Sequence, residues 1–271
     1  MTNMLAADLL GVLERYYDAT PRPNARVEEI GPFTLFVSER ADGFAYYARP
    51  RLGLAEAVTA ADVDAVRGRQ RELGAPEAFE WVHQTTPSLI EAIRAAGMVV
   101  EECPLLVLSS VEGLVLDGAR VPPPEQLCAD GGVSVRLVDA ETNDLPEIAG
   151  VVHAGFANTD AVRPRDLPRQ RELMRAGLMV KAAAYDDSGA VVGSGSHGPR
   201  GDAAELAGIA VLPRARRRGV GAAITAVLAA DAVRRGIGTV FLTAQDDAVA
   251  RVYERVGFVR VATACVAEVR R

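Results

Sequence analysis

Cysteine is scarce in this 271-residue chain, and Cys103, Cys128 and Cys265 stand at unrelated spacings. An odd number so placed offers neither a disulfide framework nor a zinc-ligand pattern, and it points to free thiols in a reducing, cytoplasmic setting. The three histidines join no His/Cys/Asp cluster with ligand spacing, so no metal is expected. No apolar run is long enough to cross a bilayer, and the first ten residues lack the basic start and cleavage site of a secretory leader. A membrane is therefore not an expected partner. Basic residues are in deficit, 30 against 36 acidic for a net charge of −6, which argues against nucleic acid.

What is present is apolar and unevenly charged. With 49% hydrophobic residues the chain has ample core, and its length favours two domains. Residues 1–125 carry 11 basic and 19 acidic side chains, a net of −8, whereas residues 126–271 carry 19 and 17, a net of +2. Helical spacing predicts a helix over Met4–Tyr17, stopped by Pro21 and Pro23. Short strands are expected over 27–30, 33–37 and 44–48, with turns at Gly31-Pro32 and Asp42-Gly43. A helix capped by Thr59 over 60–73, a strand over 79–82, a helix over 87–96 and a strand over 98–108 follow. Gly118–Gly132, with Val121-Pro-Pro-Pro124 and Ala129-Asp-Gly-Gly132, reads as a linker. Beyond it come a strand over 133–138, a helix over 144–156 with Pro146 in its first turn, and a polar stretch to Arg165. A helix over 167–175 and a hairpin turning at Asp186–Gly189 complete this part.

The stretch from Glu205 to Phe258 organises the chain. It reads as a strand (205–212), a basic glycine loop (214–221), a helix (222–235), a second strand (239–243) and a helix ending at Gly257-Phe258. The first turn of a helix has backbone N–H groups without partners and partial positive charge, so it attracts anions. In Arg216-Arg217-Arg218-Gly219-Val220-Gly221-Ala222, two glycines allow close approach to the backbone and arginines add charge, an arrangement suited to a pyrophosphate. A solvated basic turn is the plainer alternative. The dinucleotide fingerprint fails, because Ile224 stands where its third glycine belongs, and no Gly-Lys-Ser/Thr follows as in a phosphate-loop NTPase.

Arg216-x-x-Gly219-x-Gly221 resembles the Gln/Arg-x-x-Gly-x-Gly/Ala signature of the GCN5-related N-acetyltransferases. Asp246-x-x-Val249-x-x-Val252-Tyr253-x-x-x-Gly257-Phe258 resembles that family's second motif, with Asp246 in place of asparagine and Val249 in place of alanine. The resemblance covers residues 133–268 well and 1–117 weakly. It implies an α/β mixed sheet, the acyl-CoA N-acyltransferase fold. A second similarity is internal: Phe79–Val82, Ile93 and Gly97-Met98 lie over Thr239–Leu242, Tyr253 and Gly257-Phe258 without a gap. Two copies in tandem are therefore expected: a degenerate domain over 1–117 without the glycine loop, a linker over 118–132, and a catalytic domain over 133–271. The alternative is that any strand–helix–Gly–strand unit overlays in this way.

By this resemblance acetyl-CoA is the co-substrate and an amine of a small molecule or peptide the acceptor, attacking directly in a ternary complex. The backbone of Ile209, Ala210 and Val211 would pair with the pantetheine arm. The amides of Arg217, Arg218, Gly219, Val220, Gly221 and Ala222 would hold the pyrophosphate, with the Arg214 and Arg216 side chains reaching other phosphates and Asp246 near the cofactor's far end. Tyr253 matches the family's general acid, or else is a helix tyrosine packed on the sheet. Glu205 is a candidate general base or an exposed strand-end glutamate; His197, His153 and bulk water are rivals. Trp81 and His83 read as core. The acceptor pocket would be built from loops after Phe156 and around Gly198–Gly201. A non-catalytic acyl-CoA-binding or sensing protein is the other functional reading, and a homodimer is an open assembly.

Overall fold

The computed structural model describes residues 2–39, 47–109, 115–116, 119–120, 126–129 and 132–269. The turn expected at Asp42-Gly43, the start of the strand expected over 44–48 and the Val121–Pro124 run lie outside the described residues. The chain begins with α1 (Thr2–Ala19), β1 (Ala25–Ile30), β2 (Phe33–Ser38), β3 (Ala48–Pro50), α2 (Ala60–Glu72), β4 (Ala78–Val82), α3 (Leu89–Ala95) and β5 (Val100–Leu108). The short strands β6 (Val115–Leu116), β7 (Ala119–Arg120) and β8 (Gln126–Ala129) lead to β9 (Val133–Val138), α4 (Leu145–Phe156), α5 (Pro168–Arg175), β10 (Val180–Tyr185) and β11 (Val191–Arg200). β12 (Ala203–Val211), α6 (Val220–Arg234), β13 (Thr239–Thr243), α7 (Asp247–Glu254) and β14 (Phe258–Glu268) complete it. No helix among the described residues is long and apolar enough to cross a membrane.

The chain forms two compact units, one of Met1–Leu105 with Val261–Arg271, the other of Leu106–Arg260. These limits differ from the expected 1–117 and 133–271. In the first unit β1, β2 and β3 are antiparallel neighbours, and β3 then meets β4 in parallel at Ala48↔Phe79. On its other side β4 pairs antiparallel with the end of the chain, from Ala264↔Val82 to Glu268↔Ala78. The physical reason for the changed limit lies in the core, where Cys265 and Ala267 pack with Phe33, Phe79, Trp81, Leu89 and Ile93. Cys103 and Cys265 form no disulfide among the described residues. The helix α2 starts at Thr59, whose side chain accepts from the Asp62 amide while Asp62 accepts from the Thr59 amide, a closed capping box.

In the second unit the strand order is β13-β12-β11-β10-β9-β8, and Leu106 joins the core. β12 is antiparallel to β11 and parallel to β13, as the intervening helix α6 requires. Alternation along the strands sorts side chains to two faces. Ala182, Ala184, Ala204 and Leu206 pack with Ile224, Val227 and Leu228 of α6, whereas Ala183, Tyr185 and Val191 pack with Leu145, Ile148 and Val151 of α4. Gly195 has no room for a side chain: a Cβ there would stand 2.9 Å from both Ile209 and Ile224. Its absence lets α6 settle on the sheet.

Trp81 is the only tryptophan and is 1% exposed, so it reports on the first unit. Ending the chain after Arg260 removes the strand beside β4 together with Cys265 and Ala267. Trp81 emission is expected to shift red and its quenching by iodide to rise; an unchanged spectrum would show that this segment is dispensable to the core.

Candidate active site

The ladder between β12 and β13 runs only from Ala203↔Thr239 to Leu206↔Leu242. β12 continues for five more residues, Ala207–Val211, with no β13 partner. A register shift against β11 between Ser194 and Ser196 marks a bulge, and Gly208 within it has φ +63°. The two parallel strands therefore part, leaving a strand edge with main-chain groups directed into the gap. Ile209 and Val211, called from sequence, line the cavity that opens there, about 540 Å³ in volume. Ala210 is buried and points to the opposite face, where Gly155 of α4 would bring a Cβ within 3.0 Å of it.

The glycine loop closes one end of this cavity. A single turn at Pro213–Ala215 leads to Arg217, which is left-handed at φ +60°, and to Gly219 at φ +72°. Gly219 caps α6 without any side-chain hydrogen bond, so the amides of Val220, Gly221 and Ala222 have no intrahelical acceptor. Arg216, Arg217, Gly219, Val220, Gly221 and Ala222 all line the cavity. The sequence start of the helix at Ala222 is corrected to Val220, because Gly219 already supplies the left-handed entry.

The arginines divide their work. Arg216 donates from Nε to the Val211 carbonyl at 3.0 Å, from Nη1 to Asn158 Oδ1 at 2.6 Å and from Nη2 to the Gly155 carbonyl at 2.8 Å. Its guanidinium thus braces the loop to the end of β12 and the C-terminus of α4, where a cation is favoured. This differs from the expected reach to a phosphate. Arg214 is held to Asp160, its amide donating at 3.1 Å and its Nη1 lying 3.7 Å away. Arg217 is exposed and makes no ion pair among the described residues; Arg218 is half-buried and does not line the cavity. Asp246 caps α7 by accepting from the Val249 amide at 2.8 Å and is not among the lining residues.

Tyr253 lines the cavity from α7, 8% exposed, with its ring 6.5 Å from that of Phe258. Its hydroxyl makes no hydrogen bond among the described residues, and burial pushes its pKa up to about 12, so the phenol keeps its proton at neutral pH. Val249, Val252 and Val256 flank it at helical spacing and were passed over as site residues, although that spacing marked the face. Glu205 is half-buried and sits opposite Phe241 and Gly198. Since Ala204 and Leu206 face α6, Glu205 faces the α4 side, away from Tyr253. His197 is not free to act as a base: it is buried on the α6 face with Nε2 2.9 Å from Asp231 Oδ2. His153 is exposed on α4. Gly198–Arg200 is strand rather than loop, because β11 pairs with β12 as far as Arg200↔Ala203. No group of His, Cys, Asp and Glu among the described residues could hold a metal.

Residues 148–258 match the model of the acetyltransferase (GNAT) family. No curated protein matches the chain. Among solved structures it is similar to a GCN5-related N-acetyltransferase from Kribbella flavida, at 18% identity over 96% of this chain and 95% of that one, with a TM-score of 0.70. It is also similar to a functionally unknown conserved protein from Staphylococcus epidermidis, at 14% identity over 93% and 96% of the two chains and a TM-score of 0.59. A GCN5-related N-acetyltransferase from Sphaerobacter thermophilus aligns at 18% identity over 78% and 66%, with a TM-score of 0.54. At these identities the likeness is one of fold. The matched family uses acetyl-CoA as co-substrate.

The two loop glycines are separable by experiment. Gly219 is left-handed, so Gly219→Ala is expected to cost about 1–2 kcal/mol in urea unfolding. At Gly221 a Cβ would meet only Val211, at 3.9 Å, so Gly221→Ala is expected to keep or raise stability while weakening acetyl-CoA binding, read by calorimetry. A second expectation concerns Asp231, where burial raises the pKa but hydrogen bonds from His197, Arg235 and Arg234 bring it down to about 2. The folded value lies below the ordinary 3.8, so the unfolded chain binds the proton first and stability falls as pH drops between them. Asp231→Asn should flatten that acid limb in a urea titration; an unaltered limb would show that other carboxylates set it.

Proposed function

We propose that residues 106–260 form an acetyl-CoA-dependent N-acetyltransferase that passes the acetyl group directly to an amine in a ternary complex. The observation that carries this reading is the parting of β12 from β13 beside a helix that begins with an uncapped glycine. In this reading the amides of Arg217–Ala222 hold the pyrophosphate, and Arg216 holds the loop in the shape that aims them. The pantetheine arm joins the free edge of Ala207–Val211 as an added strand. The thioester then lies in the gap beyond Leu206 and Leu242, with Tyr253 on one face of the sheet and Glu205 on the other.

The chemistry follows from that placement. The neutral amine attacks the thioester carbonyl, a C–N bond forms and the C–S bond breaks. Tyr253, protonated at neutral pH, gives its proton to the departing sulfur. The surplus amine proton leaves towards Glu205, directly or through water. Asp246 takes no part in this reading beyond fixing the start of α7.

We infer further that residues 1–105 are a second copy of the fold without the cofactor site. Elements support this in register: β4, α3, Gly97 and β5 occupy the positions of β13, α7, Gly257 and β14, and a helix links β3 to parallel β4 as α6 links β12 to β13. The helix start equivalent to α6 is closed by Thr59 and Asp62, which leaves no place for an anion.

Release of CoA thiol on adding amines to the protein with acetyl-CoA tests the enzyme reading. Tyr253→Phe is expected to lower kcat by about 10²-fold or more while acetyl-CoA binding holds. Undiminished turnover in that variant removes the acid role, and tight binding with no release on any amine favours a binding protein instead.

A further inference from the structure

The face of the second unit's sheet that carries α4 holds polar side chains that neither the core nor the acetyl-CoA cavity uses. Lys181 shares the phase of Ala183 and Tyr185 on β10 and so points to that face. The register runs from Lys181 to Ser196 on β11 and from Ser196 to Ala207 on β12. Two residues along, Gly198 stands opposite Glu205, and Arg200 opposite Ala203. Lys181, Ser196, Arg200 and Glu205 therefore share one face over three adjacent strands. Ala207 is exposed and Ser196 half-buried, so the face opens to solvent between them.

Both cations there have unmet capacity. Lys181 is 4% exposed, flanked in the ladder by Val138 and Ser196, and makes no ion pair among the described residues. Leaving an ammonium so placed without an anion costs stability, and burial draws its pKa down to about 8. Arg200 donates from Nη1 to the carbonyls of Leu178 and Pro199, but its Nε is buried with no acceptor.

Resting on the acetyl-transfer reading above, we propose that this face is the acceptor site and that Lys181 receives a carboxylate of the amine substrate, while Arg200, four residues beyond Ser196 along β11, adds positive charge at the rim of the same face. Strands β10 and β12 are two strand spacings apart, about 10 Å. A small molecule with a carboxylate at one end and an amine at the other spans from the Lys181 ammonium to Glu205 and the thioester gap. The substrate class is a short amino acid rather than a polyamine or an uncharged amine. Lys181 exchanges no proton or bond in the reaction; it binds and orients, while the C–N bond forms and the C–S bond breaks as described.

Matched pairs test this: β-alanine against ethylamine, γ-aminobutyrate against propylamine, and α-amino acids against their decarboxylated amines, scored by CoA thiol release. In the wild type kcat/KM is expected to be at least about tenfold higher for the carboxylated member. Lys181→Met, close in volume, should bring the ratio within each pair towards one through KM, and Lys181→Arg should keep it. Equal rates within pairs, preference for the plain amine, or an unchanged ratio in Lys181→Met overturns the carboxylate site and leaves acetyl transfer standing. Bound acetyl-CoA with no release from any amine overturns both.

Discussion

The second unit depends on a hydrogen-bond ladder that stops. Parallel strands normally zip along their shared length, yet β12 and β13 part after Leu206↔Leu242. The bulge at Gly208 turns β12 away while keeping it paired with β11, so the strand stays ordered although one edge is bare. Main-chain groups at that edge are obligatory hydrogen-bonding groups. A strand held rigid on one side and unpaired on the other is a template for an extended ligand, and everything else in the site is arranged around that template.

Arg216 shows how a residue chosen for its charge can act through its shape. Its planar fork meets two carbonyls and an amide oxygen on two different elements, which a lysine's single ammonium could not match. Gly155 makes this possible, because a Cβ there would press on Ala210 and Val211 and push the α4 C-terminus away. The positive charge that faces the cavity is then left to the α6 amides and to the exposed Arg217. Helix starts α2 and α6 make the contrast plain: one is closed on itself by Thr59 and Asp62, the other begins at a bare glycine.

Burial sets the proton chemistry of Tyr253 and Asp231 differently. The Tyr253 phenol, in apolar surroundings of valines and Phe258, holds its proton firmly. Asp231, equally enclosed, is kept ionised because three donors converge on it, and it ties α6 to β11 through His197. The same principle, that a buried charge persists only where donors surround it, separates a neutral phenol from an ionised carboxylate within one helix layer.

The sequence by itself determined the elements around the site with small boundary errors, because glycine placement, capping residues and apolar period are local properties. Gly219 and Gly221 announced the helix start and the motif around Tyr253 announced α7, although the valines beside Tyr253 went unread as site residues. Only tertiary structure decided what depends on partners distant in the chain. Arg216 became a brace because Asn158 and the Gly155 carbonyl come to it across more than fifty residues. His197 ceased to be a base because Asp231 buries against it. Residues 261–268 joined the first unit because their apolar side chains complete the core around Trp81, a fit that no local pattern encodes.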